Sequence, residues 1–356
     1  MSVLLGSGYS AMKKRSFTYA VLLCSILLCG QSFSQGLNID SCLRVLKTAK
    51  EDTNKVLLLD DIAWNISYQN LQQGIDYSNR SLELAKKLNY EQGYANIYNT
   101  QGAIYDDMAE LAKALNFYLE GLKYAKKYSQ TGQLGIIHNS LGNLYSKRSE
   151  YQKALSHYLK SVDMANSSDR KDAAYLVYGN IASIYVRFKN LDSATYYLNK
   201  CMAYHLKTNN EQRLMNNYML LSEIHYEKNE APACLLYANK SVELAQKLND
   251  RYTLAHAYQQ LAFAYQINKR IPDAMNALHH SIDVAKETGD IPTLEKTAGY
   301  LSELYEEQGD FKNSLVYFKE YKSYKDSSLN HESIQQVKNA EAKYENEKKQ
   351  KEIELL

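Results

Sequence analysis

Apolar and small residues recur along this chain three and four apart, and the whole pattern then returns every forty residues. One copy reads Leu141-Gly142-Asn143-Leu144-Tyr145, followed by Ala154, Tyr158 and Ser161. A small residue stands at Gly102, Gly142, Ala182, Ser222, Ala262 and Ser302. Three residues on comes an aromatic, at Tyr105, Tyr145, Tyr185, Tyr265 and Tyr305, with His225 in the remaining copy. A second small position falls at Ala114, Ala154, Ala194, Cys234, Ala274 and Ser314, and a third at Gly121, Ser161, Cys201, Ser241 and Ser281. Spacing of three and four marks amphipathic helices. A fixed period of this size marks a stacked repeat array, not one globular core.

The predicted class is therefore all-α. Residues 37–52 read as a capping helix with Asp40 or Ser41 at its start, and residues 53–330 as about seven helix-turn-helix repeats. The first repeat runs from Thr53 to Asn89 with its turn one residue out of step, as terminal repeats often are. Pro232 and Pro272, forty residues apart, sit just inside the start of second helices, and Pro292 opens a first helix, where a missing N–H costs nothing. Small residues at Gly142 and Ala154 are expected to let the two helices of a repeat meet nearly backbone to backbone, with Tyr145 and Tyr158 filling the space to the next pair. An alanine near the end of the second helix recurs at Ala85, Ala125, Ala165, Ala245 and Ala285, and His205 breaks that register. Residues 331–356 read as one charged helix. Ile334, Val337 and Tyr344 fall near coiled-coil spacing until Lys348 and Lys351 interrupt the seam.

Composition narrows the class further. Only three prolines in 356 residues favour helices. A formal charge of +2, without any run of five or six like charges, gives no footprint for nucleic acid. The 32 tyrosines suit helix packing with a wet hydroxyl end.

The first 34 residues carry a targeting pattern, with Met12 as the expected start and Met1–Ala11 as an upstream extension. Lys13-Lys14-Arg15 is a basic region, Tyr19 to Cys29 an apolar run, and Ser32-Phe33-Ser34 a cleavage-type stretch before Gln35. The apolar run falls short of the ~20 residues a membrane span needs. Export to the periplasm is the expectation. Lipidation at Cys29 is the lesser one, because Leu28 stands where a small residue belongs. Cys42, Cys201 and Cys234 would remain, and the last two occupy small-residue positions of the repeat, which fits packing better than disulfides.

Small-x-x-aromatic followed by Ala, aromatic and small at these spacings resembles the tetratricopeptide repeat over about Thr53 to Tyr324. The resemblance implies a right-handed α-solenoid followed by a long C-terminal helix. The family's usual period is about 34 residues, so a forty-residue repeat implies longer helices. With the leader and the tail Ala342-Lys343-Tyr344-Glu345 through Leu356, the chain further resembles the exported part of bacterial sensors. In those sensors a charged helix leads into a transmembrane segment and a histidine-kinase or helix-turn-helix output domain. That resemblance implies membrane association through a segment beyond Leu356; the output half has no counterpart motif in these residues.

In such arrays the first helices line a concave groove, which implies that a protein or peptide segment binds there. Groove positions counted from the small residue include Asn96, Asn99, Asn139, Asn143, Lys147, Asn180, Arg187 and Tyr226. Thr100, Ala103, Asp106, Ser140, Ser183, Asn216, Met219, Glu223, Glu227, His256, Gln259, Phe263 and Gln266 share the count. Carboxamides carry both donor and acceptor, so a row of them can pair with an extended backbone without reading its sequence. The family's clamp for a free C-terminus would want Lys or Arg where Asn139, Asn216 and Leu220 stand.

No metal-ligand spacing, phosphate loop or nucleophile motif occurs among the eight scattered histidines and the cysteines. The expected function is non-enzymatic, without cofactor or metal, as the sensory part of a signalling system. The competing expectations are a free-standing periplasmic scaffold and, from another class, an enzyme built in the array.

Overall fold

A computed structural model describes residues 39–168 and 172–327. The leader with Cys29 and the charged segment 331–356 lie outside the described residues.

Most of the described helices are joined by the same three-residue turn. The elements are α1 (Ile39–Thr48), α2 (Thr53–Ser67), α3 (Leu71–Lys87), α4 (Tyr94–Asp107), α5 (Leu111–Lys127), α6 (Thr131–Lys147), α7 (Tyr151–Asn166) and α8 (Ala173–Arg187). They continue with α9 (Leu191–Lys207), α10 (Glu211–Glu227), α11 (Ala231–Lys247), α12 (Arg251–Ile267), α13 (Ile271–Thr288), α14 (Ile291–Glu307) and α15 (residues 311–327). A short 3₁₀ turn, Glu91–Gly93, precedes α4.

In the described turns from Leu88 onward the middle residue takes positive φ, whereas the turn between α2 and α3 donates both the Gln69 and Asn70 N–H to the Ile66 carbonyl. The positive-φ residues are Asn89, Ala109, Ser129, Ser149, Lys189, Asn209, Asn229, Asn249, Lys269, Gly289 and Gly309, twenty residues apart save for the forty between Ser149 and Lys189. The residue after each donates its N–H five residues back, as Glu150 does to the Tyr145 carbonyl at 2.9 Å, closing the Schellman geometry. That residue then starts the next helix. Asn190, Asn210, Asp250 and Asp290 each accept from the backbone N–H three residues on. Two helices of 17 residues and two such turns account for the forty-residue period.

The first repeat corrects its sequence reading. Its turn, between Ser67 and Leu71, stands forty residues before the turn between Asp107 and Leu111, fully in register. The apparent slip arose because Ile62 occupies the place of the first small residue.

The chain divides into two compact units, Met1–Thr100 and Gln101–Leu356, with the boundary inside α4. In the first unit α2 packs on α3 and α1 packs on α2. Val56, Ile62 and Ala63 are fully buried there, and Ser81 Oγ donates to the Val56 carbonyl at 2.8 Å.

In the second unit consecutive helices pack side by side. Each of α6, α8, α10 and α12 also touches the next first helix, and the second helices α13 and α15 meet through His279 and Tyr317, 3.2 Å apart. Leu141, Ile181, Leu198 and Leu301 are fully buried, each stabilising the fold by roughly 1.5–3 kcal/mol. The third small position places a hydroxyl against the facing helix: Ser161 donates to the Gly135 carbonyl at 2.7 Å and Ser281 to the Ala255 carbonyl at 2.8 Å. Close approach at the first and second small positions shows in Ser222, whose Oγ reaches the Cys234 carbonyl at 3.2 Å, and in Ser302 against Ser314 at 3.0 Å.

At Gly142 the expectation of backbone contact needs correcting. The space a side chain would take is filled by the ring of Tyr158 from the same repeat, 2.5 Å from an ideal Cβ. Tyr145 likewise stays within its own repeat, lying 5.3 Å from the His157 ring.

Candidate functional site

Within the second unit, the first helices α6, α8, α10, α12 and α14 expose one shared face. Near its start the carboxamides of α6 and α8 come together. Asn180 Nδ2 donates to Asn139 Oδ1 at 3.1 Å and to Asn143 Oδ1 at 3.3 Å, and the Tyr158 hydroxyl donates to Asn143 Oδ1 at 2.7 Å. All three asparagines are half-buried. The Asn143 oxygen is thus occupied twice. The amide N–H groups of Asn139 and Asn143 and the Asn180 oxygen remain for an incoming backbone, held in place by the bonds already made.

The other expected residues are distributed differently. Lys147 pairs with the buried Asp106 at 3.0 Å, so its ammonium is tied to its own face. Arg187 lies near Glu223, whose carboxyl burial holds above the ordinary carboxylate range while Arg187 draws it back. Tyr226 packs against Phe263, with ring centroids 5.8 Å apart, and Phe263 meets Tyr300 edge-on at 4.8 Å. Asn96 and Asn99 belong to the first unit, where Asn96 is half-buried and Asn99 buried. Gln259, counted as a face residue, is also buried and bonded: its amide nitrogen donates to Thr297 Oγ1 at 2.5 Å.

The face therefore changes character along its length. It runs from amides through the charged group Arg187, Glu223 and Glu227 to the aromatic steps Tyr226, Phe263 and Tyr300. Glu303, Glu306 and Glu307 follow, all exposed. Between α8, α10 and α12 it opens into a pocket of about 260 Å³ whose lining includes Leu176, Gly179, Asn217, Leu220, Glu223 and the buried His205 of α9. Sequence reading assigned no role to Asn217, and treated His205 as a local irregularity. The break in the alanine register was the signal that could have found them.

A second set of rings was missed as well. In five repeats the first-helix aromatic pairs with a ring twelve residues on: Tyr105 with Phe117, Tyr145 with His157, Tyr185 with Tyr197, His225 with Tyr237 and Tyr305 with Tyr317. Their centroids lie 5.2–5.6 Å apart, worth about 0.5–1.5 kcal/mol per pair beyond burial. These rings hold the two helices of a repeat together, so they support the face without forming it.

Among the described residues no group of His, Cys, Asp and Glu is placed to hold a metal ion, and no helix is long and apolar enough to cross a membrane. Cys42, Cys201 and Cys234 are free thiols, all buried.

Comparison with known proteins agrees with this architecture. The tetratricopeptide repeat profile matches residues 133–207, the repeats that carry the asparagine cluster. A search of curated proteins finds no match. Among solved structures the fold is similar to the apo form of RapI, with a TM-score of 0.63 and 15% identity over 78% of this chain and 99% of that one. It is also similar to aspartyl phosphate phosphatase F from Bacillus subtilis, with a TM-score of 0.62 and 15% identity over 91% and 96% of the two chains. A third is the Rap conjugation gene regulator of plasmid pLS20 in complex with the Phr* peptide, at TM-score 0.59 and 15% identity, covering 84% of this chain and 81% of that one. At these identities the likeness establishes the fold: an all-α tetratricopeptide-type array.

Proposed function

We propose that this protein is a non-enzymatic binding solenoid whose first-helix face forms a concave groove for an extended peptide or protein segment. The asparagine cluster carries the reading. Asn139, Asn143 and Asn180 fix one another across two repeats and leave donors and an acceptor directed by those bonds. Preorganised amides lose little freedom on binding, which favours backbone recognition. Direct contact between successive first helices makes this face continuous from one repeat to the next, which supports the reading. The pLS20 regulator, similar in fold, is bound to a peptide.

We further infer an exported, periplasmic location and a sensory role in signal transduction. The basic and apolar leader from Lys13 to Ser34 supports it, and fractionation of source cells tests it. Recovery of the native chain from the cytosol would end that part of the proposal.

The groove itself is tested with a displayed random-peptide library on immobilised full-length protein. Peptides retained by the native chain should lose affinity by about tenfold, near 1.4 kcal/mol, in Asn139→Ala with Asn180→Ala. Equal retention by the double variant, with helical content unchanged, would remove the cluster as a site.

A further inference from the structure

The pocket between α8, α10 and α12 is built by two departures from the repeat. His205 of α9 stands where other second helices carry the buried Ala85, Ala125, Ala165, Ala245 and Ala285, and is itself only 2% exposed. Across from it, Gly179 of α8 takes the position held elsewhere by Asn99, Asn139, Met219, Gln259 and Gly299. At Gly299 the Tyr321 ring lies 3.5 Å from an ideal Cβ. At Gly179 the nearest atoms are Asn217 Oδ1 at 3.6 Å and Cys201 Sγ at 3.9 Å, ordinary packing distances. Packing does not require glycine at 179; its missing side chain opens the pocket.

The floor is polar and oriented. Asn217, 5% exposed, accepts from Cys201 Sγ through its oxygen at 3.7 Å, which turns its amide nitrogen toward His205 Nδ1 at 2.9 Å. An amide nitrogen can only donate, so Nδ1 accepts and the imidazole proton stands on Nε2. That Nε2 is buried and has no hydrogen-bond partner. Burial and the nearby Arg213 push the imidazole down to about 4, so it is neutral near pH 7. Leu176 and Leu220 supply apolar wall. Arg213 and Glu223 line the same pocket with one charge of each sign, leaving no net charge to offset an ionised guest. Its 260 Å³ lies below the roughly 300–1,000 Å³ of sites for drug-sized ligands and suits a single side chain.

We propose that this pocket receives an Asn or Gln side chain of the bound segment, its carbonyl accepting from His205 Nε2–H and its amide hydrogens donating to Glu223. The inference rests on the peptide-groove reading and adds a specificity position to it. A carboxamide supplies an acceptor and a donor without burying charge, and Leu176 and Leu220 cover its methylenes.

The same displayed library tests it on the full-length protein. Selected peptides should be enriched in Asn or Gln at one position. Gly179→Met, which installs the residue of the next repeat, should lower their affinity about tenfold, while peptides with Ala at that position bind both proteins equally. Enrichment in acidic or aromatic residues, no enrichment, or enrichment that survives Gly179→Met overturns the pocket and leaves the groove standing. A library that yields no binders overturns both. Should Gly179→Met fail to fold, ¹⁵N-histidine spectra of the unaltered protein decide. The His205 Nε2 signal, identified by its loss in His205→Gln, should move on adding the selected peptide; an unmoved signal refutes the contact.

Discussion

Gly142 faces the ring of Tyr158, and no side chain could be added to the first without displacing the second. Gly102 stands in the same relation to Tyr118. Where the repeat carries alanine instead, at Ala182 and Ala262, the facing residue shrinks to Leu198 and Leu278.

Gly142→Ala should therefore destabilise the fold by about 1–3 kcal/mol through overpacking. Tyr158→Leu in the same chain should relieve much of that loss, because the pair then matches Ala182 with Leu198. Chemical denaturation of the two single variants and the double measures the coupling. Additive effects, with no coupling beyond about 0.5 kcal/mol, would show that the two positions do not share one space.

The turns offer a stabilising change. Ser149 holds φ at 60° and is exposed, a conformation that costs an L-residue about 1–2 kcal/mol. Ser149→Gly should raise stability by up to about 1 kcal/mol once glycine's greater freedom in the unfolded chain is subtracted, and with it the melting temperature. Gly309→Ala, at φ 74°, should act in the opposite direction. A lower melting temperature for Ser149→Gly would contradict the turn analysis.

Acid should weaken the second unit through two buried histidines. Burial is the main cause that pushes His138 and His205 down to about 4, and the unfolded chain takes up those protons near 6.5. Between these values the unfolded state binds more protons. Their contribution is complete above pH 6.5 and declines as pH falls toward 4, by roughly 2–4 kcal/mol per histidine. Denaturation midpoints from pH 7.5 to 4.5 should fall, and His205→Gln should flatten part of the decline. A flat profile in the native chain would refute it.

Asp60 in the first unit should behave oppositely. Burial lifts its carboxyl to about 7 from 3.8, one oxygen has no partner, and Thr100 supplies the hydrogen bond that opposes the shift. The folded form keeps a proton that the unfolded chain has released, so this group's stability is present at low pH and lost as pH rises from 3.8 through 7. Asp60→Asn should raise stability at pH 8 by on the order of 2–4 kcal/mol, read as a higher melting temperature, and change little at pH 4. Equal effects at both pH values would show that Asp60 is ionised in the fold at no cost.

The forty-residue frame was legible because packing a helix pair repeats the same steric demand, and Gly142, Ala154 and Ser161 record it locally in the chain. Pro232, Pro272 and Pro292 marked helix starts for the same local reason, since each restricts its own backbone. Which asparagines meet was not legible. Asn139 and Asn180 lie 41 residues apart, and their hydrogen bond depends on how one repeat is set against the next. The same holds for Gly142 and Tyr158, whose contact depends on the rotation of two helices about their axes. It holds again for His205, which read as a flaw in the alanine register until the structure placed it beside Asn217 at the floor of a pocket. The sequence by itself determined the helices, their turns and their stacking order, because those follow from local spacing and side-chain size. Only the tertiary structure decided which polar groups pair and which are left for a partner, because that depends on distances between helices that no local pattern encodes.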